Sequence, residues 1–217
     1  LNKIYLKGKK NMVHALNNIN LKIDDRETVA IIGESGAGKS TLLHIMSCID
    51  NFDGEYYLDN IDINKLSESK KSKLRSSKIG IVLQDFALID DFTVFENVMT
   101  PLYFNKKIKD KKGSVMRALK KTGIASLKSK KVSQLSGGQK QRVAISRALV
   151  TSPEYIFADE PTGSLDSKTS EEIVKMLFDL NRNGITIVIV THNLEIANQC
   201  HHIIEIKDGN IIKDICS

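Results

Sequence analysis

The chain has 217 residues, room for one large domain with a substantial core and too few for two comfortable ones. A balance of 32 Lys and Arg to 26 Asp and Glu leaves a net charge of +6, which permits an anionic partner without demanding a nucleic acid or a lipid surface. Three widely spaced cysteines with no Cys-x-x-Cys pair argue against a disulfide framework and indicate no zinc site, and no apolar run reaches the roughly 18 residues that a membrane helix needs.

The chain opens LNKIYLKGKK, which lacks the apolar core of a signal peptide, so a cytosolic location is expected. The first strong strand is TVAII (28–32), an unalternated β-branched run of the kind buried on both faces of a parallel sheet. It leads into IIGESGAGKST, where Gly33, Gly38, Lys39 and Ser40 fit the G-x-x-x-x-G-K-[ST] phosphate loop. The context is the required one, strand before and apolar helix after. Glycines let backbone N–H groups close around phosphates, Lys39 reaches the β and γ oxygens, and Ser40 ligates Mg²⁺.

EYYLDNIDI (55–63) alternates around Asp59-Asn60 and reads as a hairpin, and IGIVL (79–83) is a second buried strand ending at Gln84. From Gln84 to Leu135 no strong strand signal appears, and the segment reads as a helical insertion. Within it, residues 106–131 hold eleven Lys or Arg against one acid, Asp110; a solvated helix surface is the ordinary reading, a lipid-facing or partner-facing one the alternative. LSGGQKQRVAISRAL (135–149) places Ser136 as a helix N-cap before two glycines, Gly137 and Gly138, a second candidate anion site a hundred residues after the first.

YIFA (155–158) is a third strand, and the pair Asp159 and Glu160 ends it at the carboxyl edge where parallel sheets bind ligands. Such a pair is also an ordinary helix N-terminus; beside a phosphate loop, Asp159 suits Mg²⁺ and Glu160 suits a general base on water. TIVIV (186–190) repeats the pattern and delivers Thr191 and His192, the latter able to hydrogen-bond a γ-phosphate. HIIEI (202–206) and the alternating IIEIKDGNIIKDI (203–215) add a strand and a hairpin.

Taken together and in this order, GESGAGKST, LQD (83–85), LSGGQKQRVAISRAL, FADEPTGSLD (157–166) and VTHN (190–193) closely resemble the nucleotide-binding domain of an ATP-binding cassette (ABC) transporter. The resemblance spans essentially the whole chain. It implies an α/β P-loop NTPase fold: a RecA-like, mostly parallel sheet, a small antiparallel β part and an inserted α-helical subdomain. The core would comprise about 1–85 and 150–217, and the helical part about 86–149. It further implies an ATPase that binds ATP and Mg²⁺ and works as a head-to-tail dimer powering a separate membrane permease, peripheral on the inner face of the cell membrane.

Carried onto this chain, the family roles place this subunit's phosphates on Gly33, Glu34, Ser35, Gly36, Ala37, Gly38, Lys39, Ser40 and Thr41. Ser136, Gly137 and Gly138, with Gln139 nearby, would contact ATP held by the partner subunit. Gln84 would touch Mg²⁺ and relay nucleotide state, and Ser40 and Asp159 would complete the metal site. Glu160 resembles the catalytic glutamate, Asp166 the aspartate at the dimer seam and His192 the switch histidine. Tyr5 stands where the family commonly stacks an aromatic on adenine.

Two departures stand out. Arg26-Glu27 replaces the usual Gly-Glu before the phosphate-loop strand, so a different backbone geometry is expected in that turn. Cys200-His201-His202 suggests metal binding, but no further ligand lies at suitable sequence spacing, so none is expected there. The stretch LSESKKSKLRSSKIGIVLQDFALIDDFTVFENV resembles the group of macrolide exporters, lipoprotein-releasing ATPases and antimicrobial-peptide or bacteriocin transporters. The cell-division ATPase of that group, which signals without transport, is the alternative. A soluble ABC ATPase acting on nucleic acid is not expected, because such relatives usually carry two cassettes or a long coiled coil.

Overall fold

Six strands lie side by side, and the helices cover both faces of the sheet they form. The computed structural model describes residues 1–5 and 12–216. Its elements are β1 (Lys3–Tyr5), β2 (Val13–Leu16), β3 (Thr28–Ile32), α1 (Lys39–Met46), β4 (Tyr57–Leu58), β5 (Ile61–Asp62), α2 (Glu68–Lys78) and β6 (Ile79–Val82). There follow α3 (Val94–Phe104), α4 (Lys111–Lys121), α5 (Gly137–Leu149), β7 (Tyr155–Asp159), α6 (Ser167–Arg182), β8 (Thr186–Val190), α7 (Leu194–Ala197), β9 (His202–Lys207) and β10 (Asn210–Cys216).

The main sheet has the order β10-β9-β3-β8-β7-β6. Neighbours from β9 to β6 are parallel, and β10 pairs antiparallel at the edge. The two-residue period of a strand divides its side chains between two cores. Ile156, Ala158, Ile187 and Ile189 join Val98, Leu102, Leu119, Ile145 and Leu177 from α3 to α6 on one face. Val29, Ile31, Phe157, Val188 and Val190 meet Leu42, Leu43 and Ile45 of α1 on the other. Burial on both faces is why these strands read as unbroken apolar runs.

Both expected hairpins are present. Asp59-Asn60 joins β4 to β5 and Asp208-Gly209 joins β9 to β10, with positive φ at each of the four residues, the turn whose twist matches paired strands. The stretch after Gln84 carries α3 and α4. Their N-termini are capped by Thr93, reciprocally with Glu96, and by Asp110, whose side chain accepts from the Gly113 N–H. No helix among the described residues is long and apolar enough to cross a membrane.

In the turn before β3, Arg26 adopts φ 63°, the left-handed conformation that favours glycine, so a non-glycine residue is strained there. The backbone N–H of Arg26 donates to Thr186 Oγ1 at 2.8 Å, and Asn181 Nδ2 donates to the Arg26 carbonyl at 2.7 Å. These two bonds hold the strained residue in place.

Candidate active site

The carboxyl ends of β3, β6, β7 and β8 converge, and the residues just beyond them line one cavity of about 740 Å³. Gly33, Ser35, Gly36, Gly38, Lys39, Ser40 and Thr41 form one wall; Gln84, Asp159, Glu160 and His192 form another; Tyr5 stands at the margin. Ligand sites at the carboxyl edge are the rule for parallel sheets, because each βα turn there delivers a side chain or an N–H group.

The loop from Gly33 to Gly38 is squeezed between neighbouring strands. A Cβ on Gly33 would lie 2.1 Å from the Ile206 carbonyl oxygen, and one on Gly38 would lie 2.4 Å from that of Ala15, so both positions exclude a side chain outright. The amide of Ala37 donates to the Glu34 carbonyl at 3.2 Å, and Gly209 donates to the Ala37 carbonyl at 3.0 Å. Glu34 and Ala37 therefore shape the loop without lining the cavity. Helix α1 starts at Lys39 with no acidic residue in its first turn, leaving the positive end of its dipole free for an anion. Lys39 Nζ donates to the carbonyls of Gly33 at 2.8 Å and Glu34 at 2.7 Å, folded across the mouth of the loop.

Asp159 is the last residue of β7, and its Oδ1 is buried without a hydrogen-bond partner, a rare condition for a carboxylate oxygen. Next to it, Glu160 takes φ 44° and donates its amide to the Val190 carbonyl at 2.9 Å. That strained turn aims the Glu160 carboxylate at His192, whose Nδ1 lies 3.0 Å away. Gln84 lines the same cavity, and Gly163 packs between it and Glu160: a Cβ on Gly163 would be 3.5 Å from Gln84 Nε2 and 3.6 Å from Glu160 Cβ. Tyr5 donates its hydroxyl to Asp50 Oδ2 at 2.7 Å, and Lys3 Nζ sits 4.7 Å from its ring centroid.

Besides Glu34 and Ala37, five of the expected residues stand outside this cavity. Ser136 is the N-cap of α5 and exchanges bonds with Gln139: Ser136 N–H to Oε1 at 3.2 Å and Gln139 N–H to Oγ at 3.4 Å. Gly137 and Gly138 follow in the first turn. Asp166 is exposed and caps α6, and hydrogen bonds from Thr169 hold its carboxyl below the ordinary range. Arg147, unremarkable in the sequence, reaches from the far end of α5 to the carbonyls of Phe86, at 2.8 Å, and Ala87, which ties the LSGGQ helix to the segment after Gln84. Asp208 and Gly209 also line the cavity, though they read only as a hairpin turn.

Residues 16–163 match the family model described as ABC transporter. The chain belongs to the ABC transporter family. It is the ATP-binding, ATP-hydrolysing cassette of that family, with the P-loop α/β fold its sequence implied. It is 43% identical over 216 residues to the uncharacterized ABC transporter ATP-binding protein YvrO of Bacillus subtilis, covering 99% of this chain and 94% of YvrO. It is 44% identical to the macrolide export ATP-binding/permease protein MacB of Mannheimia succiniciproducens, over 99% of this chain but only 33% of MacB. Among solved structures, the dimeric post-hydrolysis state of the ATP-binding cassette MJ0796 bound to ADP and Pi superposes with a TM-score of 0.90 at 41% identity, over 99% of this chain and 95% of that one. MJ0796 comes from Methanocaldococcus jannaschii.

Proposed function

We propose that this cassette holds Mg²⁺–ATP in the cavity above β3, closes head to tail on a second copy, and uses the cycle to drive a membrane permease. The reading rests on one observation above all: the N-terminus of α5, with Ser136, Gly137 and Gly138, does not line the cavity that contains the phosphate loop. Its donors face another molecule. A second copy turned about a two-fold axis presents them to the γ-phosphate, with Asp166 at the seam. The dimeric MJ0796 structures support the same arrangement.

Within each site the donors suit Mg²⁺, a hard cation that takes oxygen ligands. Ser40 Oγ, the amide oxygen of Gln84 and the orphaned Asp159 Oδ1 supply them. Bound Mg²⁺ would neutralise charge developing on the phosphate oxygens. Lys39 leaves its two loop carbonyls for the β- and γ-phosphates, Glu160 takes the proton of the attacking water, and His192 orients that water and the γ-phosphate. Tyr5 stacks on adenine at the cavity margin.

Residues 86–149 act as the helical subdomain that passes nucleotide state outward. Beside Leu83 a groove of about 400 Å³, lined by Ile49, Ile81, Pro101, Phe104 and Arg147, continues from the Gln84 segment. Phe104 is 77% exposed there, which suits it to receive an apolar permease element. The permease places the cassette on the cytoplasmic face of the membrane. The MacB relatives carry an export permease and their cassette under one name, and this chain spans about a third of their length, so export of antimicrobial or similar amphipathic compounds is the activity we assign to the complex.

Size measurement with and without nucleotide tests this. The Glu160→Gln chain is expected to run as a dimer with Mg²⁺–ATP and as a monomer without it, with hydrolysis reduced at least about 100-fold. Adding Ser136→Arg returns it to a monomer that still binds a fluorescent ATP analogue. A Glu160→Gln chain that stays monomeric with ATP and hydrolyses at the normal rate overturns the reading.

A further inference from the structure

At the opposite end of the sheet a second cluster of ligand-type side chains forms from residues far apart in the sequence. Glu27 immediately precedes β3, His202 begins β9 and Cys216 ends β10. Val29 is registered with His202 across β3 and β9, and Cys216 with His202 across β10 and β9. Side chains two residues apart share a face, so Glu27, His202, Asp214 and Cys216 emerge on the same side of the sheet. Among the described residues, Glu27, His202 and Cys216 are the one set of three whose ligand atoms all lie within 4.8 Å of one another.

His202 is the centre of this cluster. It is 2% exposed, its Nε2 lies 2.6 Å from Asp214 Oδ1, and its buried Nδ1 has no hydrogen-bond partner. Glu27 Oε1 is 3.5 Å from that nitrogen, while Glu27 Oε2 is taken by the Asp24 amide at 2.9 Å. One ring nitrogen on a carboxylate and the other aimed, unpaired, at ligand atoms is the arrangement of a metal-binding histidine, whose carboxylate partner fixes the tautomer. A tetrahedral ion with bonds of about 2.0–2.3 Å separates its ligand atoms by roughly 3.3–3.8 Å, so the three donors need to draw in by only about an ångström. Cys216 is exposed on the edge strand β10, where its side chain can rotate toward the other two donors.

We propose that Glu27, His202 and Cys216 bind a divalent transition-metal ion of borderline softness, zinc first, with Asp214 orienting the imidazole. The oxygen, nitrogen and sulfur donors together select such an ion over Mg²⁺. The five-residue length of β3, roughly 16 Å, separates the site from the phosphate loop, so it is not the nucleotide's Mg²⁺ and does not depend on the nucleotide reading. The ion pins the end of β10 to β9 and β3. That strand begins beside Gly209, which holds the phosphate loop through Ala37, so the site braces the support of the nucleotide cavity. The neighbours Cys200 and His201 take no part: burial pushes the Cys200 thiol up to about 12, and His201 Nδ1 is engaged by the hydroxyl and amide of Thr28.

The test is titration of the reduced, nucleotide-free chain with Co²⁺ and then Zn²⁺. The expected result is one Co²⁺ per chain, a near-ultraviolet thiolate-to-cobalt charge-transfer band that Zn²⁺ displaces, and protection of Cys216 from a thiol reagent by Zn²⁺. Cys216→Ser is expected to lose the band and to bind at least about tenfold more weakly; Glu27→Gln keeps the band with weakened affinity. Cys216 is exposed and Glu27→Gln keeps the shape of its side chain and an acceptor for the Asp24 amide, so both variants are expected to fold, which circular dichroism checks. Absence of the band in the wild-type chain, or equal Zn²⁺ affinity in wild type and Cys216→Ser, overturns the proposal in favour of a structural imidazole packed between Glu27 and Asp214.

Discussion

Gly138 on α5 and Thr169 on α6 are packed so closely that a Cβ on Gly138 would lie 2.4 Å from the Thr169 methyl carbon. The second glycine of LSGGQ thus seats one helix against the next, in addition to any contact its amide makes. The Gly138→Ala chain should lose about 1–3 kcal/mol to overpacking, offset by about 1 kcal/mol of improved helix propensity. Thr169→Ser removes the obstructing methyl and keeps the hydroxyl bonded to Asp166 Oδ2. The double variant is therefore expected to be at least as stable as Thr169→Ser alone, which chemical denaturation of all four chains would check. Equal losses from Gly138→Ala in both backgrounds would refute the packing role.

The 3.0 Å approach of His192 to Glu160 is a site contact rather than a stabilising ion pair, since the His192 side chain is 73% exposed. His192→Ala should leave the melting temperature nearly unchanged and lower kcat about 100- to 1000-fold, the loss typical of one transition-state donor. KM for ATP should move only a few-fold. A rise in KM with normal kcat would reassign His192 to ground-state binding.

Lys39 stands apart, because its ammonium already has two carbonyl partners in the loop. Lys39→Ala removes a charge-assisted donor to phosphate, so calorimetry should show ATP bound at least about tenfold more weakly. Unchanged affinity would remove Lys39 from the phosphate site.

Much of this was legible because it is local. A phosphate loop is a short string between a strand and a helix, and Gln84, Glu160 and His192 each sit one or two residues after an apolar run, so the sheet edge collects them without knowledge of strand order. What escaped depends on contacts between distant segments. Gly209 reads as a hairpin turn, and only the β9–β3 pairing carries it to the phosphate loop. Arg147 reads as one more surface cation on a helix, yet it bonds carbonyls about sixty residues away. The nearness of Glu27 and Cys216 to His202 was hidden because they approach through the sheet register and not through sequence spacing.

Arg26 carries the remaining prediction. A non-glycine residue in the left-handed region costs about 1–2 kcal/mol, against about 0.5–1 kcal/mol of extra unfolded-state freedom that a glycine would bring. Its bonds to Thr186 and Asn181 are made by backbone atoms, so any side chain keeps them. Arg26→Gly should therefore gain up to about 1 kcal/mol, or roughly 2–4 °C in melting temperature for a chain of this length. Arg26→Ala removes the same side chain but keeps the strain, so it should show no such gain. An alanine chain as stable as the glycine chain would show that the left-handed backbone at Arg26 carries no strain that glycine relieves.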